Sequence, residues 1–212
     1  LACGAHLPIG TAEQRAFLRT GDSPSALHNN CSGKHAAMLA ACVAQGWPTE
    51  PYLDPAHPLQ RRIVDSITDA TGISPEPVGI DGCGAPTLRG SVRGLAYAFA
   101  QLISADRFSK ATDAISRFPA LVADNARADG HLARWWGGPV KVVAEGQIGI
   151  GRHGVGIAAK AKAGGSDIAG AAVIATADEL GLLPDAMRSG LASEAAPPVL
   201  GGGVPVGALT RE

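Results

Sequence analysis

The chain has 212 residues, long enough for one sizeable domain, and 18 Lys and Arg against 19 Asp and Glu leave a formal net charge of −1. The basic residues are scattered among acidic ones and form no stripe, which argues against a nucleic-acid or anionic membrane partner. No apolar run reaches the roughly 20 residues a membrane helix needs, and no basic segment leads into an apolar stretch, so a soluble cytoplasmic protein is expected.

Along the chain, Thr11 to Arg19 reads as a helix broken by Gly21-Asp22-Ser23-Pro24. The polar cluster His28 to His35 runs into Ala36 to Val43, where apolar residues recur at helical spacing. Asn30 or Ser32 is expected to cap this helix, and Gly46 with Pro48 to end it. Cys42, four residues after Met38, falls on its core stripe. A further helix starts near Pro58, carries Leu59, Ile63 and Ile67 on one face and stops at Gly72.

Val78 to Ile80 reads as a short strand delivering the turn Asp81-Gly82-Cys83-Gly84-Ala85-Pro86-Thr87. Leu95 to Ile103 and Ser109 to Arg117 are predicted helices. Val140 to Val143 and Val155 to Lys162 are predicted strands that pair with each other across a Gly-rich segment. Asp167 to Leu180 makes an Ala-rich helix ended by Gly181, and Pro197 to Arg211 suits an edge strand or a loose terminus. The pattern predicts a single α+β unit, helices packed on an antiparallel sheet whose opening strands lie upstream of an abrupt start at Leu1.

Four cysteines, Cys3, Cys31, Cys42 and Cys83, in a chain without secretory features point to metal or catalytic use more than to disulfides. Asn29-Asn30-Cys31-Ser32-Gly33-Lys34-His35 places a thiol, a hydroxyl, an ammonium and an imidazole at a helix start, where the dipole is expected to lower the thiol's pKa. The same residues also suit plain capping and solvation. The glycines beside Cys83 let a ligand or a backbone approach closely. Without a Cys-x-x-Cys spacing, the residues by themselves leave both a Cys31 and Cys83 metal site and a purely structural role open.

Asn30-Cys31-Ser32-Gly33-Lys34-His35, Asp81-Gly82-Cys83-Gly84-Ala85-Pro86-Thr87, Phe118-Pro119-Ala120-Leu121-Val122-Ala123 and the opening Cys3-Gly4-Ala5-His6-Leu7-Pro8 resemble, in order and rough separation, the rhizobial-type (thermolabile) L-asparaginase family. The resemblance implies hydrolysis of L-asparagine to L-aspartate and ammonia on a fold similar to serine β-lactamases and penicillin-binding proteins. It also implies a serine nucleophile in a Ser-x-x-Lys element. None of the 212 residues forms that element, so an N-terminally truncated chain, inactive by itself, is expected.

Carried over residue by residue, the resemblance assigns zinc ligands at Cys31, Lys34 and Cys83, and a catalytic lysine at Lys141 within Val140-Lys141-Val142-Val143. Substrate contacts fall at Ser32, His35, Arg127 and Asp129. The family's Gly-Arg-x-Asp-Thr is here Ala126-Arg127-Ala128-Asp129-Gly130, without the threonine hydroxyl. A homodimer is the implied assembly. The contrasting expectation, drawn from the missing Ser-x-x-Lys, is a homologue that binds metal or a small molecule without turnover, and a zinc-stabilised structural domain is a third.

Overall fold

A computed structural model describes residues 1–123 and 128–210. They form two compact units, one from Leu1 to Gly90 and one from Ser91 onward. Both mix helices with small antiparallel sheets, which is the α+β class expected. Among the described residues no helix is long and apolar enough to cross a membrane.

In the first unit, α1 (Thr11–Leu18) precedes a 3-10 turn at Ala26–His28, then α2 (Ser32–Gln45), α3 (Pro58–Thr71), β1 (Glu76–Ile80) and β2 (Pro86–Arg89). The start of α2 differs from the expected cap. Neither Asn30 nor Ser32 caps it; Cys31 is the N-cap residue, and its side chain makes no cap bond. Asn29, one residue upstream of the expected pair, does the work: its Oδ1 accepts from the Cys31 N–H at 2.8 Å, and its Nδ2 donates to the Cys3 carbonyl at 2.7 Å. A buried Asn is satisfied by both bonds, and the two segments that carry Cys3 and Cys31 are thereby tied together.

Gly46 closes α2 in the left-handed region, and Cys42 is fully buried against Tyr52 and Leu59, as its place on the stripe predicts. Pro58 opens α3, the ring of His57 accepts from the Leu59 N–H at 3.1 Å, and Gly72 ends it. Strands β1 and β2 then make an antiparallel hairpin with a register shift between Pro77 and Gly79.

The second unit opens with α4 (Val92–Ser104), capped by Ser91 Oγ on the Gly94 N–H at 2.9 Å, followed by α5 (Ser109–Arg117), α6 (Pro119–Val122) and α7 (Ala128–Trp136). Next come β3 (Val140–Val143), β4 (Gln147–Arg152) and β5 (Val155–Lys160), then α8 (Ser166–Glu179), α9 (Asp185–Gly190) and α10 (Ala192–Ala195). The tail is a hairpin of β6 (Pro198–Gly201) and β7 (Val204–Ala208).

The expected pairing of Val140–Val143 directly with the strand at Val155 is not what forms. The Gly-rich segment between them is itself the central strand, and the order is β3-β4-β5. The reason lies in alternation along Gln147-Ile148-Gly149-Ile150-Gly151-Arg152. Ile148 and Ile150, with Val140, Val142 and Ile157, fill one face and meet Ala169, Val173, Ile174 and Ala177 of α8. Gly149, Gly151 and Gly156 leave the other face bare, so that α4 lies directly on it. A Cβ at Gly156 would sit 1.8 Å from the Ala96 carbonyl oxygen, and one at Gly149 would strike the Phe99 ring. Trp136 completes the core beneath the sheet, its indole N–H donating to the Gly151 carbonyl at 2.8 Å.

Candidate functional site

In the first unit the start of α2 and the β1–β2 turn bring three of the singled-out residues to one place. Sγ of Cys31, a carboxylate oxygen of Asp81 and Sγ of Cys83 all lie within 4.8 Å of one another. Lys34, one turn into α2, reaches the same turn and donates from Nζ to Asp81 Oδ2 at 3.2 Å. Cys31 is half-buried and Cys83 is buried, whereas Lys34 and Asp81 keep substantial solvent contact.

The turn is shaped for this. Asp81 Oδ1 accepts from the Gly82 N–H at 2.7 Å, and the Gly84 N–H donates to the Asp81 carbonyl at 2.8 Å. Gly84 sits at φ +84, and a Cβ there would press on Leu53 at 3.3 Å. A side chain at 84 would therefore open the turn that carries Asp81 and Cys83.

The electrostatics reverse one expectation. Burial raises the Cys31 thiol above its ordinary pKa, and the neighbouring Cys83 and Asp81 add to that rise, outweighing the lowering by the Lys34 ammonium. The helix-start position therefore does not yield a lowered thiol pKa. Burial alone would lower Lys34, but its hydrogen bonds to Cys83 and Asp81 prevail and hold it above its ordinary value, a firm ammonium. Burial likewise opposes ionisation of Asp81, yet the Lys34 hydrogen bond and charge bring its carboxyl below the usual value.

Two thiols and a carboxylate form a donor set of the kind that suits a borderline-soft divalent ion such as zinc. Sequence reasoning named Cys31, Lys34 and Cys83 but passed over Asp81 as a ligand. The signal was available: Asp81 and Cys83 are spaced by two in one tight turn, which lets both side chains reach the same side. As it stands, Asp81 offers a lone pair where Lys34 offers only protons.

Ser32 is the first residue of α2, beside Cys31, and is half-buried. His35 is fully buried on the inner side of the same helix. Its Nδ1 pairs with the Tyr52 hydroxyl at 2.6 Å, and that hydroxyl accepts from the Ala2 N–H at 2.8 Å. Nε2 of His35 is a buried polar atom with no hydrogen-bond partner among the described residues. Burial first, then the Lys34 ammonium, lower its pKa and keep the ring neutral. Tyr52 also lines a cleft of about 570 Å³ with Leu39, Thr49, Glu50 and Leu53.

The remaining candidates belong to the second unit. Lys141 lies on β3 opposite Gly149 of β4, on the sheet face that α4 covers, and its exposed side chain donates from Nζ to the Val142 carbonyl at 2.6 Å. Asp129, in the first turn of α7, is 4% exposed and so is an interior group. Arg127 lies outside the described residues.

Compared with known proteins, residues 1–211 match the model of a family described as L-asparaginase II. No curated protein matches the chain.

Proposed function

Because the chain belongs to the L-asparaginase II family, we propose that it is the larger part of an amidohydrolase that converts L-asparagine to L-aspartate and ammonia. The carrying observation is a family match over essentially all of the chain, joined to the Cys31, Lys34, Asp81 and Cys83 cluster formed by its two most distinctive motifs. A β-lactamase-like fold is part of this reading, supported by the antiparallel β3-β4-β5 sheet between α4 and α8.

In the proposed reaction a serine of a Ser-x-x-Lys element outside the 212 residues attacks the side-chain amide carbon, and ammonia leaves from the resulting tetrahedral species. Water then cleaves the ester to release aspartate. Lys141 holds a proton near the developing charge or passes it to the leaving amine. The substrate contacts that the resemblance assigns are Ser32 and His35 in the first unit and Arg127 and Asp129 in the second; of these, Ser32 stands beside the cluster and is half-buried, whereas His35 and Asp129 are interior. Cys31 and Cys83 would hold zinc, with Asp81 as a ready third donor and Lys34 as a donor only after losing its proton. When bound, the ion would supply a fixed positive charge for orienting the substrate.

Four free thiols fit a reducing, cytoplasmic setting, and we expect the homodimer that the resemblance implies. The test is ammonia release from L-asparagine by the protein carrying whatever coding sequence its gene places before Leu1, beside the 212-residue form. Activity confined to the longer form supports the assignment, and equal activity in both overturns the external serine. If neither form turns over while both bind metal or asparagine, the non-catalytic binding protein is the correct reading.

A further inference from the structure

The two sulfurs of the cluster permit a reaction that the proposed hydrolysis does not use. Cys31 and Cys83 are distant in sequence, yet their Sγ atoms lie within 4.8 Å, each on a segment end. One is the N-cap residue of α2 and the other sits between Gly82 and Gly84 in the β1–β2 turn, so closing the remaining gap to a bond falls to side-chain rotation and movement of that turn. They differ in access: Cys31 is half-buried and Cys83 is 4% exposed. An accessible thiol backed by a shielded one is the geometry of an attacking and a resolving cysteine, and the burial that holds the Cys31 thiol above its ordinary pKa slows its attack without removing it.

We infer that Cys31 and Cys83 are a redox-switchable pair, closed into an intrachain disulfide by a low-molecular-weight disulfide such as oxidised glutathione. The Cys31 thiolate attacks one sulfur of the oxidant, whose S–S bond breaks and releases one small thiolate. Cys83 then attacks Cys31 Sγ in the mixed disulfide and releases the second. Two protein thiols are oxidised, the small disulfide is reduced to two thiols, and the two cysteine protons end on those products. The bond consumes two donors of the cluster, so oxidation and metal loading exclude one another. That last consequence rests on the zinc reading above; the disulfide itself does not.

Cys3 and Cys42 serve as internal controls. Cys3 is buried, packs on Cys83 and donates from Sγ to the Ala26 carbonyl at 3.4 Å, while Cys42 is sealed among Tyr52 and Leu59. Neither is expected to react at the rate of Cys31.

The experiment treats the protein, with any sequence its gene places before Leu1, with a chelator and then oxidised glutathione, and maps disulfides by peptide mass spectrometry without reduction. The expected product is a linked pair of peptides carrying Cys31 and Cys83, with two thiols lost per chain. The Cys83→Ser variant should stall with glutathione on Cys31, and Cys3→Ser should behave as the parent. Zinc added beforehand should slow thiol loss, because a thiolate held by a metal is withdrawn from attack.

Glutathione persisting on Cys31 of the parent while Cys83 stays free, or a Cys3–Cys83 link in its place, would overturn the inference. Formation of the Cys31–Cys83 link without zinc protection leaves the disulfide standing and removes the zinc reading. Zinc binding to reduced protein that never forms the link does the reverse.

Discussion

Asp81 is the residue on which the cluster balances. Its carboxylate is shared between the Lys34 ammonium, the Gly82 N–H and the donor set with Cys31 and Cys83. Asp81→Asn keeps the shape but removes the charge, and on the proposed zinc reading is expected to weaken metal binding at least about tenfold in a chelator competition, by analogy with losses at groups that tune a metal. Lys141→Ala is expected to lower kcat of the proposed enzyme by about 10²- to 10⁴-fold, the range for a lost proton-transfer group, with KM for asparagine moving far less. A fall confined to KM would place Lys141 in binding. At this scale the sequence showed Cys31, Lys34 and Cys83 through their motifs. Its signal for Asp81, the spacing of two from Cys83, was passed over because an acidic residue beside glycines also looks like an ordinary turn former.

Among elements, the contact of α4 with the sheet depends on missing side chains. Gly156→Ala would put a methyl group 1.8 Å from the Ala96 carbonyl oxygen, where backbone must yield, at a cost of about 1–3 kcal/mol. For a chain of this size, at about 2–4 °C per kcal/mol, that is a fall in Tm of about 2–12 °C, measurable by calorimetry. Gly79→Ala, with open space around its Cβ, is the control and should change Tm little.

A polar tie joins α7 to α10: the His131 ring contacts Glu194, whose other oxygen accepts from Ser193 Oγ at 2.7 Å. Burial opposes the charge on Glu194, but the Ser193 and His131 contacts prevail and its pKa lies below the ordinary 4.5. A depressed carboxyl contributes fully above 4.5, and the contribution fades as pH falls through the lower folded value. Acid unfolding of Glu194→Gln should therefore depend less on pH below about 4.5 than that of the parent. At neutral pH the variant should lose about 1 kcal/mol.

Most helices were legible because glycine and proline punctuate them. Gly46, Gly72 and the Pro58 start mark α2 and α3 within a residue of their observed ends. Strand β4 was not, although Ile148-Gly149-Ile150-Gly151 alternates, because glycines read locally as a linker and their role appears only once α4 is laid against them. Helix α7 was missed for a related reason: its signal is the spacing of Leu132 and Trp136, which becomes meaningful only in the core they share with β3 and α8.

For the molecule as a whole, the proposed hydrolysis implies a selectivity. With asparagine and glutamine compared side by side, kcat/KM is expected to favour asparagine by about 10–200-fold, the span a single methylene commands in a shaped pocket. A ratio near one would indicate a pocket that does not measure side-chain length.

The terminal hairpin has a practical bearing. From Ala195 to Thr210 the chain carries no charge, and Val199, Leu200, Val204 and Val206 are 45–68% exposed. A bare apolar ribbon lacking lysine guards invites edge-to-edge adhesion, and strongly excluded salts such as sulfate intensify that tendency. Concentrated stocks should turn cloudy early in an ammonium sulfate series, and a Leu200→Lys preparation should stay clear to higher salt at unchanged Tm.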